Sequence, residues 1–153
     1  MSTGAIVTQE GGTQLETDLL TGGTLENWSL RLYQTNITPA ITDTLATFTA
    51  AGVEATFTGY SAKTLTRSIA AGTWGAVASA GGTSINAGGN AKSTYGTQQS
   101  WSATSAQTIY GHFFSGVTSG KSILAQLWSS PVSLVNPSTL NITPVLELGA
   151  IGG

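Results

Sequence analysis

Residues 28–60 read WSLRLYQTNITPAITDTLATFTAAGVEATFTGY, from Trp28 to Tyr60. Trp28, Leu30 and Leu32 alternate with Ser29, Arg31 and Tyr33, the period of two that marks a half-buried strand. Asn36-Ile37-Thr38-Pro39 ends that strand, because proline has no N–H to give to a ladder. Thr42 and Asp43 are good N-cap types, and Leu45, Ala46 and Phe48 behind them fit one or two helical turns. Phe57 and Tyr60 flank Gly59, where a positive φ or a bulge is expected.

Outward from this stretch, turns and short apolar runs alternate. Residues 1–13 are polar and glycine-containing with one apolar pair, Ile6 and Val7, and are expected to form an extended N-terminal arm. Gln14 to Leu20 is expected as a short strand before the turn at Gly22-Gly23. Ser61 to Ile69 and Trp74 to Ala78 read as further strands on either side of an Ala70-Ala71-Gly72 turn. Gly81 to Asn90 is rich in Gly, Ser and Asn and reads as a loop. Ser93 to Trp101 is polar but contains Tyr95 and Trp101, as suits an exposed or subunit-facing strand. Thr108 to Val117 is the most β-like run, and Ser122 to Ser129 the next, with Pro131 expected to interrupt it. Leu140 to Leu148 makes a final strand broken by Pro144. Asn141-Ile142-Thr143-Pro144 repeats Asn36-Ile37-Thr38-Pro39, as an equivalent corner or as chance in a Thr-rich chain. About eight to ten strands at such spacing predict an all-β protein, an antiparallel two-sheet sandwich of jelly-roll type with one short helix. The 153 residues suit one domain, with residues 1–13 as the arm and 14–153 as the sandwich.

Composition narrows the function. Only 8% of residues are charged, against about 25% in typical soluble domains, so the surface must be built from Thr, Ser, Asn, Gln and Gly. Such a surface repels neighbours weakly, which suits packing into an assembly. The five Lys and Arg residues are scattered and form no stripe to neutralise phosphates, so no nucleic-acid partner is expected. Cysteine is absent, which leaves no disulfide framework and no thiolate. The first residues carry neither a basic nor an apolar signal region, so synthesis in a cytoplasm is expected. No apolar run reaches the roughly 20 residues of a membrane span, so no membrane association is expected.

The candidate chemistry is sparse. Gly116-Val117-Thr118-Ser119-Gly120-Lys121-Ser122 resembles a phosphate loop but has three residues between its glycines where the motif needs four, so it reads as a hairpin turn. His112 is the only histidine and has no ligand cluster or partner base around it, so it reads as a strand residue. A glycosidase-type pair among Glu10, Glu16, Asp18, Glu26, Asp43, Glu54 and Glu147 is conceivable, but most of these fall in turns, caps or the arm. Among Trp28, Trp74, Trp101 and Trp128, Trp28 and Trp128 are expected in the core and Trp101 at an interface or ligand surface. Asn27, Asn36 and Asn141 head N-x-[ST] triplets, read as chance in a chain without a secretion signal. The expectation is a non-enzyme with no catalytic, cofactor-binding or metal-binding residues and no cofactor.

Several short motifs occur in a familiar order. They are the strand with its Thr38-Pro39 turn, the short capped helix, the Phe57-x-Gly59-Tyr60 corner, Tyr110-Gly111-x-Phe113, and the terminal run Leu140 to Leu146. The stretch from Trp28 to Leu148 thereby resembles a group of small structural proteins of tailed bacteriophages. That resemblance implies a virion protein made in the host bacterial cytoplasm. It would be a capsid decoration protein, a homotrimer whose partners are the major capsid protein and its own copies. The alternatives are a tail-fibre or receptor-binding domain for host glycans, using exposed aromatics and the Gly81 to Asn90 loop, and a jelly-roll capsid subunit. The chain departs from the group's pattern in that Gly-rich segment and in a longer N-terminal arm.

Overall fold

The structure, a computed structural model, describes residues 5–22, 25–68, 70–80 and 90–148. The chain divides into two compact units, Met1–Leu65 with Ser100–Leu140, and Thr66–Gln99 with Asn141–Gly153.

The first unit is built on a five-stranded antiparallel sheet. Its strands are β1 (Ile6–Val7), β2 (Trp28–Tyr33), β3 (Lys63–Leu65), β7 (Gln107–Gly116) and β8 (Ser122–Leu134), in the order β1-β8-β7-β2-β3. Register sets the two faces of the sheet. Leu30 lies opposite Phe114 and Leu32 opposite His112 on one face, and Arg31 opposite Phe113 and Tyr33 opposite Gly111 on the other. The strand expected to be half-buried is covered on both faces: Leu30, Leu32 and Tyr33 are all 0% exposed. Helix α2 (Leu45–Thr49) covers the Tyr33 face, with the Phe48 ring 5.1 Å from Phe113 and 5.9 Å from Tyr33. On the other face Trp28 stacks on Phe114 at 6.2 Å. Strands β6 (Gln99–Ala103) and β9 (Ser138–Ile142) pair as a separate two-stranded sheet, and Trp101, Ala103 and Leu140 are buried.

Local signals explain the elements. The expected short helix forms, but its N-cap is Thr44. Asp43 instead accepts from the Ala40 N–H at 2.7 Å and shapes the turn before it. Gly59 has φ 99° and an added Cβ would lie 2.0 Å from the Ser102 carbonyl oxygen, so the expected glycine corner is also a close backbone approach. Pro131 does not interrupt β8. Gly111 pairs with Leu127 and Ile109 with Val132, so Trp128 to Pro131 bulge opposite Tyr110, and a bulge tolerates a residue without an N–H.

The N-terminal segment departs most from expectation. Of the stretch 1–13, residues 1–4 lie outside those described, Ile6 and Val7 pair with Ala125 and Leu124 of β8, and Gln9 opens helix α1 (Gln9–Thr21). The expected strand Gln14 to Leu20 is therefore helical. Thr8 caps the helix by accepting from the Gly11 N–H at 3.1 Å, and Gly22 ends it in the left-handed conformation at φ 63°.

In the second unit, β4 (Ala78–Ala80), β5 (Asn90–Thr94) and β10 (Val145–Leu148) form a three-stranded antiparallel sheet in the order β10-β5-β4. Trp74 meets Tyr95 edge-on at 5.3 Å. The run Ser93 to Trp101, expected as one exposed strand, is split between β5 and β6 by bends at Gly96 and Thr97, and Ser93, Tyr95 and Trp101 are buried. The two Asn-Ile-Thr-Pro copies are not equivalent corners. The first lies beyond the end of β2, and the second runs from β9 toward β10. The expected loop at Gly81 to Asn90 lies outside the described residues up to 89, and Asn90 begins β5. The all-β expectation holds at the level of class: antiparallel sheets dominate, with α1 and α2 beside them.

Candidate functional site

The glycine-rich run 116–122 is the hairpin between β7 and β8. Its backbone donors already hold an anion, the chain's own Glu26. One Glu26 oxygen accepts from the Thr118 N–H at 2.6 Å and the Ser119 N–H at 2.8 Å. Burial opposes ionisation, but hydrogen bonds from the Ser119 side chain and from the Ser119 and Thr118 backbones outweigh it and hold the Glu26 carboxyl below its ordinary pKa. A Cβ on Gly116 would stand 2.2 Å from Ser119 Oγ and 2.3 Å from Glu26 Oε1, so this glycine makes the room. A phosphate would have to displace a charge-assisted internal contact, and the loop has no free cradle to offer.

His112 is buried in the sheet between Phe114 and Trp128, with ring centroids at 5.7 and 6.0 Å. Trp128 Nε1 donates to His112 Nδ1 at 2.9 Å, which requires a neutral ring with its proton on Nε2. Burial pushes the imidazole pKa down to about 4. Trp101, expected at an interface or ligand surface, is 1% exposed. Its Nε1 donates to the Ser61 carbonyl at 2.7 Å, and Lys63 Nζ lies 5.5 Å from its ring centroid. The polar strand expected to display it turns at Gly96, which returns the tryptophan to the core. No sugar-stacking platform can be built on Trp101 in this fold.

Three of the carboxylates, Glu10, Glu26 and Asp43, accept backbone N–H groups. Glu10 accepts from the Leu45 N–H at 3.1 Å and the Ser122 N–H at 2.9 Å, tying α1 to α2 and to β8. Glu54 pairs with Arg31 at 3.3 Å and accepts from Tyr60 Oη at 2.8 Å. Tyr60 Oη in turn accepts from the Leu32 N–H at 3.2 Å, and the Ala55 N–H donates to the Leu32 carbonyl at 2.9 Å. Beyond the reach of β3, Leu32 is thus satisfied by this cluster, a tie that sequence reasoning did not assemble. Asp18 accepts from Gln14 Nε2 at 2.9 Å within α1, and Glu147 stands opposite Lys92 in the β10–β5 ladder. Glu10 and Asp43 line one shallow concavity with Lys121, but both already accept backbone N–H groups. Among the described residues no three His, Cys, Asp or Glu side chains come together to hold a metal ion. No helix among them is long and apolar enough to cross a membrane.

What remains is surface. Leu19 and Leu20, in the last turns of α1, are 81% and 78% exposed. Sequence reasoning placed them on a strand and missed them. The available signal was Thr8 as an N-cap ahead of Glu10, with Leu15 and Leu19 spaced i, i+4. Compared with protein-family models, with curated proteins and with solved structures, the chain matches none.

Proposed function

We propose that the chain is a non-enzymatic structural protein of a tailed-bacteriophage virion, a capsid decoration protein that acts through protein–protein contacts as a homotrimer. The finer architecture in this reading is a sandwich of jelly-roll type, with the five-stranded sheet as one layer. The observation that carries the reading is the use made of polar groups. Glu10, Glu26 and Tyr60 accept backbone N–H groups, Trp101 donates to a backbone carbonyl, and Glu54 holds Tyr60 in place, as suits a domain selected for rigidity and contact. The low charge of the chain, 8% of residues, supports close packing against neighbours in a shell. The sequence resemblance over Trp28 to Leu148 supplies the phage assignment.

The test is to purify particles of the encoding phage, detect the protein by mass spectrometry and place it by cryo-electron microscopy. The expected outcome is density on the head surface at many copies per particle. Its absence from purified particles, or its location on a tail fibre, rejects the reading.

A further inference from the structure

The hydrogen bond between Trp128 and His112 exists in one protonation state only. The indole Nε1–H is a donor and nothing else, and it donates to His112 Nδ1 at 2.9 Å. An imidazolium carries N–H on both nitrogens, so a proton arriving at Nδ1 sets donor against donor. The charged ring then needs an acceptor or water. No carboxylate faces it among the described residues. Leu32 of β2 and Gln126 of β8 stand directly opposite it in the ladder, and the Phe114 and Trp128 rings flank it. Lys63 of β3, opposite Leu30, adds a positive charge to this face, while Arg31 lies on the other. At the outer edge of β2, Glu54 is engaged by Arg31 and by Tyr60, which itself takes the Leu32 N–H. Strands β6, β8 and β9 carry no charged residue. The Glu10 carboxylate of α1 is held at the start of β8 by the Ser122 and Leu45 N–H groups. Burial is accordingly what lowers the imidazole pKa, with no charged neighbour contributing.

Trp128 also stands where β8 is loosest. It opens the bulge that runs to Pro131 between the Gly111–Leu127 and Ile109–Val132 pairs. The indole is half-buried, and Ser129, Ser130 and Pro131 are exposed. Chain outside the ladder can move without breaking the pairs on either side of it. We propose that Trp128 is an acid-released gate: protonation of His112 breaks its bond to the indole, and the 128–131 bulge swings outward while the rest of the sheet stays paired. In the open form the imidazole meets water and regains its ordinary proton affinity. Each tenfold in the cost of opening then lowers the midpoint of protonation by one pH unit. A midpoint near 4 against the ordinary 6.5 corresponds to an opening on the order of 300-fold unfavourable at neutral pH. The inference is independent of the virion role.

The test follows the full chain by NMR from neutral pH into acid. His112 is the only histidine, so its Cε1–H signal reports protonation without ambiguity. The Trp128 indole N–H is assigned by its absence in Trp128→Phe. That indole signal is expected to move with the His112 midpoint, and the amides of residues 127–130 and 132 to lose their protection from exchange with it. The amides of 28–33 and 113–116 should keep theirs. In His112→Gln, which keeps an acceptor but does not titrate, the step should vanish. Trp128→Phe removes the donor and keeps a ring, and should raise the His112 midpoint by about one unit, a tenfold easier protonation for one lost hydrogen bond. An imidazole that stays neutral until the whole chain unfolds, a titration that leaves the indole in place, a step that survives in His112→Gln, or an unshifted midpoint in Trp128→Phe each overturns the proposal.

Discussion

At Glu26 a single carboxylate closes a hairpin that lies 92 residues further along the chain. Replacing it with glutamine keeps the shape and removes the charge, and should cost about 1 kcal/mol, the net worth of such bonds at a partly solvated site. The folded state holds this carboxyl below its ordinary 4.5. Its contribution is therefore complete above pH 4.5 and is lost as the pH falls through the lowered folded value. Urea midpoints of wild type and Glu26→Gln should differ at pH 7 and converge in acid; a constant gap at all pH values would show that the charge is irrelevant. His112 acts in the same sense over a higher pH range. Its folded pKa of about 4 lies below the ordinary 6.5, so the unfolded chain takes up a proton first and stability falls as the pH drops from 6.5 toward 4. The full loss is on the order of 3 kcal/mol for a shift of that size. His112→Gln, which keeps an acceptor for Trp128 Nε1, should flatten the stability profile between pH 6.5 and 5, a window above the ordinary carboxyl range. An unchanged slope there would assign it to other groups.

At the scale of elements, α1 makes the sharpest case, because its two adjacent glycines have opposite surroundings. A Cβ on Gly11 would stand 2.1 Å from the Ile123 carbonyl oxygen, whereas one on Gly12 would meet nothing within 4 Å. Gly11→Ala should therefore push the helix off β8 and destabilise by about 1–3 kcal/mol. Gly12→Ala should stabilise by up to about 1 kcal/mol through helix propensity alone. Thermal melts of the two variants should move in opposite directions, and matching shifts would mean that the helix does not rest on β8 through Gly11. The same pair shows where sequence reading stopped. Strands β2 and β7 were legible from period two and β-branched or aromatic content, α2 from the apolar Leu45, Ala46 and Phe48 although its cap is Thr44 rather than Thr42 or Asp43, and the Gly59 corner from its glycine. Helix α1 was not legible, because two glycines and three threonines argue against a helix, and the Glu10 and Gly11 contacts that favour it come from β8, more than 100 residues away. Trp101 was misplaced for a related reason. Polar neighbours suggest exposure, but a bend at Gly96 and the Ser61 carbonyl decide its side. The covering of both faces of β2 was equally hidden, since Ser29 and Arg31 sit on a face that α2 closes around Tyr33.

For the whole molecule the decisive contrast lies between the two units. The unit of Met1–Leu65 and Ser100–Leu140 owns the aromatic core: Trp28, Tyr33, Phe48, Trp101, Phe113 and Phe114 are all buried there. In the other unit, Tyr95 and Ile142 are the buried apolar side chains of more than one carbon among the described residues, apart from Pro144. Its strands β4 and β5 read Ala-Ser-Ala and Asn-Ala-Lys-Ser-Thr, and Val145 and Leu146 of β10 are only half-buried. Local opening free energy follows buried apolar contact. Amides of β2 and β7 should therefore exchange with deuterium only through global unfolding. Those of β4, β5 and β10 should exchange through a smaller opening, at least about 100-fold faster. Added urea should accelerate the first group steeply and the second weakly, because the slope scales with the surface exposed. Tyr95 provides the internal control. Its Oη accepts from the Thr66 N–H at 3.1 Å and its ring packs against Trp74, so Tyr95→Ala should speed exchange in β5 and β10 while leaving β2 and β7 unchanged. If all five strands exchange at one rate with one urea slope, the units unfold as a single cooperative body. The sparse core around Tyr95 would then be held by the rest of the protein, and Tyr95→Ala would lower the protection of every strand alike.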